Sequence, residues 1–89
     1  METIIRNAVA VAIENINKET VCYIKAVRKS DGHKTILTNI VVKNENKAVK
    51  ECISASNKLI NECGWTISKL FVVAEDDDLN EKIVFEHIF

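Results

Sequence analysis

The sequence has no proline and only two glycines, Gly32 and Gly64. Little of it therefore reads as linker, and the interiors of helices and strands are free of their strongest breakers. No apolar run approaches the roughly 20 residues that a membrane span needs, so no membrane partner is expected. The opening METIIRNAVAVAIENIN is interrupted by Arg6, Asn7 and Glu14. It also lacks the basic leader and small-residue cleavage site of a secretory signal. These absences point to a mature helix in a cytoplasmic protein. Two isolated glycines cannot build a phosphate-cradling loop. There are three cysteines, Cys22, Cys52 and Cys63. An odd, widely spaced set argues against a disulfide framework, and all three read as small core hydrophobes in a reducing compartment. His33 and His87 show no metal-ligand spacing. Cys22 or Cys63 with a histidine makes a nucleophile and base only on paper, because spacing alone brings no such pair together. The expectation is a chain without catalytic activity, cofactor or metal.

What is present is an ordinary apolar and charged balance, 47% and 28% of 89 residues. That reads as one domain over residues 1–89, burying roughly 60–65% of its unfolded surface. Net charge is −1, but it is unevenly spread: +4 over residues 1–50 and −5 over residues 51–89. Such asymmetry fits a basic surface for an acidic partner, or self-complementarity between two copies.

Apolar spacing predicts a helix over residues 3–17 with Thr3 as N-cap. Ile4, Ile5, Ala8, Val9, Val11, Ala12, Ile13 and Ile16 cover about half its circumference, a stripe wide enough for more than one neighbour. A second helix is predicted over residues 45–63, capped by Asn44 and ended by Gly64 in the left-handed region. Its apolar face holds Ala48, Val49, Cys52, Ile53, Ala55, Leu59, Ile60 and Cys63. Residues 20–29 and 34–43 read as a hairpin turned at Asp31-Gly32. Residues 65–74 and 82–89 read as a second hairpin across an acidic turn. The order αββαββ implies an α+β fold, with two helices packed on one face of a four-stranded antiparallel sheet. The halves overlay at an offset of 44 with few identities, Ile16/Ile60, Asn17/Asn61 and Lys25/Lys69, which supports an architectural pseudo-repeat without demonstrating duplication.

A sheet with one wet face normally alternates apolar and polar residues. Here the alternation fails. The second face is expected to carry Tyr23, Leu37, Val41, Leu70, Val72, Val84 and Ile88, with Val21 beside them. Trp65, Ile67, Phe71 and Val73 compete with Leu70 and Val72, and the sequence leaves open which parity faces inward in the third and fourth strands. Either choice leaves a mostly apolar outer face, which monomers seldom expose beyond a few hundred Å². The favoured function is therefore a non-enzymatic, regulatory or adaptor-like protein-binding module that self-associates through this face, a dimer being the first expectation. Another protein is the next possible partner.

Two alternatives belong to other classes. Lys25, Arg28, Lys29, His33 and Lys34 make the first hairpin basic, and a basic ribbon can follow a phosphate backbone. The pI near 6.1 fits nucleic acid poorly, and lysines also guard sheet edges. The other alternative is a small molecule enclosed by the apolar face at a subunit interface. The run Glu75-Asp76-Asp77-Asp78 lacks the spaced ligands and central glycine of a calcium loop and reads as a solvated turn.

Overall fold

The computed structural model describes residues 1–16, 21–40 and 44–89. The chain folds as α1 (Glu2–Ile16), β1 (Val21–Arg28), β2 (Lys34–Ile40), α2 (Glu45–Asn61), β3 (Ile67–Glu75) and β4 (Glu81–Ile88). The four strands form one antiparallel sheet in the order β2-β1-β3-β4. Each hairpin thus makes one half of the sheet, and β1 against β3 is the seam between them. The fold is α+β, as the element order implies.

The helix ends follow from local chemistry. Asn44 caps α2, its side-chain oxygen accepting from the Lys47 N–H at 3.1 Å. Gly64 ends the turn after α2 with φ +69°, and Gly32 turns the first hairpin with φ +73°; both values favour a residue without Cβ. Thr3 is not a cap. The α1 helix begins at Glu2, so Thr3 lies inside its first turn, and the Ile5 N–H already reaches the Met1 carbonyl at 2.9 Å.

The core lies between the helices and the inner face of the sheet. From α1 come Ile5, Ala8, Val9 and Ala12, and from α2 Ala48, Val49 and Cys52. The sheet adds Cys22, Ile24, Ala26, Leu37, Ile67, Leu70, Val72 and Ala74, and Trp65 closes one end. The wide stripe of α1 has the use expected of it, since α1 lies against α2, β1, β3 and β4. The buried stripe of α2 also contains Ser56, at i+4 from Cys52, which a hydrophobicity pattern passes over. Thr38 of β2 donates to the Glu51 carboxylate at 3.1 Å and ties α2 to that edge.

Two sequence expectations about α2 are corrected. It ends at Asn61, so Cys63 is off the helix and exposed, and Ile60 is exposed as well. Cys22 and Cys52 are buried as expected. Burial, with Glu51 adding a smaller effect, pushes the Cys52 thiol up to about 12.

Candidate functional site

Which side chains reach the outer face is decided by three β-bulges. Each inserts one residue on one strand and reverses the alternation beyond it. Ile24 pairs with Thr38 but Lys25 with Ile36, so Leu37 is the extra residue and turns inward. Val27 pairs with Lys69 and Arg28 with Ile67, so Ser68 is extra, and Ile67 and Leu70 both reach the core although three apart. Val72 pairs with Phe85 and Val73 with Ile83, so Val84 is extra and packs on the core beside Phe85.

Four of the residues expected on the outer face are therefore on the inner one: Leu37, Leu70, Val72 and Val84. Leu70 and Val72 sit opposite Ala26 and Ile24, whose inward direction they share. Tyr23 and Ile88 are on the outer face as expected. Val41 lies outside the described residues.

The outer face can be read in rows across the strands. Lys34, Val27, Lys69 and Ile88 form one row, followed by Ile36, Lys25, Phe71 and Glu86. Next come Tyr23, Val73 and Ile83, then Val21, Glu75 and Glu81. Phe71 and Val73 are 5% and 3% exposed although no helix covers them. The Lys34 ammonium stands 5.7 Å from the centre of the Phe71 ring, and Lys25, Lys34, Glu81, Lys82 and Ile83 wall a hollow of about 280 Å³ above Phe71 and Val73. Around this centre Val21, Ile36, Ile83 and Ile88 remain 41%, 52%, 55% and 68% exposed.

The charges on this face are sorted by half. The described outward residues of β1 and β2 carry Lys25 and Lys34 and no acid. Those of β3 and β4 carry Glu75, Glu81, Glu86 and Lys69, with Lys82 reaching the hollow from the β4 edge, and Lys69 is paired with Glu86 at 3.0 Å. Glu75 and Glu81 lie directly opposite each other, an unfavourable like-charge pair. The excess of positive charge in the first half of the sequence and of negative charge in the second thus has a spatial counterpart.

The expected basic ribbon is divided. Lys25 and Lys34 belong to the sheet face. Arg28 turns to the end of the sheet, where its guanidinium binds the Asp31 carboxylate with two N–H groups, Nε to Oδ1 at 2.9 Å, and lies 5.1 Å from the centre of the Trp65 ring. That hydrogen bond, with the His33 backbone N–H, holds the Asp31 carboxyl well below the usual carboxylate range; the same contact raises the Arg28 pKa. The His33 ring stands edge-on to Trp65 at 6.0 Å. Only Lys29 of the five points freely from the turn, its backbone N–H bonded to the Thr66 carbonyl.

The acidic turn spends one carboxylate on itself. Asp76 Oδ1 accepts from the Asp78 and Asn80 N–H groups, each at 3.0 Å. Among the described residues no group of three or more His, Cys, Asp or Glu side chains is placed to hold a metal ion, and no helix is long and apolar enough to cross a membrane. Comparison with known protein families, with curated proteins and with solved structures finds no match.

Proposed function

We propose that this protein is a protein-binding module whose working surface is the outer face of the sheet, and that the partner is a second copy of the chain. The observation that carries the reading is the ring of exposed Val21, Ile36, Ile83 and Ile88 around Tyr23, Phe71 and Val73. A face meant only for water has no use for these residues. A second copy is favoured because one half of the face bears Lys25 and Lys34 with no acid among the described residues, and the other bears more glutamates than lysines, so the face is complementary to itself.

Area sets the expected strength. Strands of seven to nine residues, spaced about 4.8 Å apart and rising about 3.3 Å per residue, present roughly 500 Å². Two such faces bury about 1,000 Å², the lower bound for a specific interface. With half of that apolar, burial contributes on the order of 10 kcal/mol against an association cost of roughly 4–15 kcal/mol. The expected complex is a reversible dimer of about micromolar affinity, formed by subunits that already own a core.

Light scattering on a sizing column, across a hundredfold range of concentration, tests this. The mass should rise from 10.0 kDa toward twice that value. Ile36→Asp with Ile83→Asp alters two exposed positions outside the core. This variant should stay monomeric with unchanged helical circular dichroism. A wild type that is monomeric throughout, or a variant with wild-type association, overturns the reading.

A further inference from the structure

Two identical sheets stacked face to face by a two-fold axis lying between them have two simple arrangements. With the axis across the strands, each half of the sheet faces the same half of its partner. The half that carries Lys25 and Lys34 then lies over the same basic half of the partner with its rows reversed, and the half that carries Glu75, Glu81 and Glu86 lies over its own acidic counterpart. With the axis along the strands, β2 lies over β4 of the partner and β1 over β3. Each basic half then covers an acidic half.

We infer that the dimer uses the second arrangement, an inference that rests on the sheet-face reading above. Two observations converge on it. The first is the sorting of outward charge by half, with Lys25 and Lys34 on β1 and β2 and the glutamates on β3 and β4. The second is the row pattern itself. Under a strand-parallel axis, Tyr23 comes opposite the partner's Val73, and Lys25 opposite the partner's Phe71. Ile36 comes opposite the partner's Glu86, with Lys25 and Lys34 on either side of that carboxylate. Apolar centres meet, and Lys25 of one subunit comes near the Phe71 ring that Lys34 of the other already approaches. Aligned sheets cross at about 30°, which leaves these neighbourhoods intact because long lysine side chains span the offset.

Charge reversal separates the two axes. Lys25→Glu with Lys34→Glu puts acid on acid under the strand-parallel axis and should weaken dimerisation at least tenfold at low salt, since two or more surface pairs of up to about 1 kcal/mol each are turned repulsive. Adding Glu81→Lys and Glu86→Lys to the same chain reverses both halves and should restore wild-type dimerisation. Under the cross-strand axis neither step changes the like-on-like contacts. Wild-type dimers should also loosen as salt rises from about 0.05 to 0.5 M, because attraction between unlike halves is screened; the cross-strand arrangement tightens instead. Amide NMR spectra of each variant check that the fold is kept. A wild-type dimer indifferent to both variants, or strengthened by salt, overturns the axis while leaving the interface standing. A monomeric wild type removes the interface itself.

Discussion

The thiols show how differently one residue type is used. Cys22 and Cys52 are walled into the core, whereas Cys63 stands in water just beyond α2. Reaction with a thiol reagent requires thiolate and access. At pH 8 Cys63 should be alkylated within minutes in the native protein, and Cys22 and Cys52 only as the whole domain opens. Peptide mass mapping of the labelled protein checks this; fast labelling of Cys52 would mean that the α2 face is not packed as described. The pH dependence follows with a definite sign. The folded thiol of Cys52 is raised from 9.0 to about 12. Its burial therefore favours the fold fully below about pH 9, and that contribution is lost as pH climbs toward 12. Sequence reading placed Cys63 in the core because helical spacing was carried two residues past the true end of α2. The same reading found Asn44, Gly32 and Gly64, because a cap and a positive φ are local requirements that a residue type announces by itself.

Elements were legible where one periodicity held and illegible where bulges reset it. Both helices and all four strands lie within a few residues of the spans expected from apolar spacing. The face of each strand is another matter. Leu37, Ser68 and Val84 are ordinary strand residues in sequence, and nothing in them declares an extra step in the ladder. In β3 both parities are apolar, so pattern alone had no means of choosing Leu70 and Val72 over Phe71 and Val73; the partner strand β1 makes that choice. The ends of α2 provide a test at this scale. Asn44→Ala removes the acceptor for the Lys47 N–H and should cost about 1 kcal/mol. Gly64→Ala meets no atom within 4 Å, so its cost is the backbone term alone, roughly 1–2 kcal/mol for a residue held at φ +69°. The two sites are at opposite ends of the helix and should add within about 0.5 kcal/mol. Urea midpoints of the single and double variants measure this, and a neutral Gly64→Ala would show that the turn relaxes.

At the scale of the molecule the design is two αββ halves that share one core and one seam. The outer face inherits its composition from that plan, with one charge sign from each hairpin and an apolar centre where β1 meets β3. The offset of 44 positions between the halves was visible in the sequence as an architectural echo, and so was the charge asymmetry. Which apolar residues remain in water was not, because it depends on cross-strand register and on the Lys34 ammonium over Phe71.

The seam also sets the order of assembly in time. Hairpin partners are close in sequence, Val27 with Lys34 and Glu75 with Glu81, whereas Ile24 meets Val72 across 48 positions. Closing the longer loop costs about 1.7–1.8 kcal/mol more chain entropy than closing a hairpin. The β1–β3 pairing should therefore limit the folding rate, on the millisecond-to-second scale of mixed folds. A chain without proline has no slow prolyl isomers to wait for afterwards. Stopped-flow refolding followed through the single tryptophan, Trp65, in the monomeric Ile36→Asp/Ile83→Asp variant should give one exponential and no phase of tens of seconds. A second, slow phase would mean that the halves first dock out of register. With no isomer population to sort, nearly every newly unfolded molecule is equally ready to return.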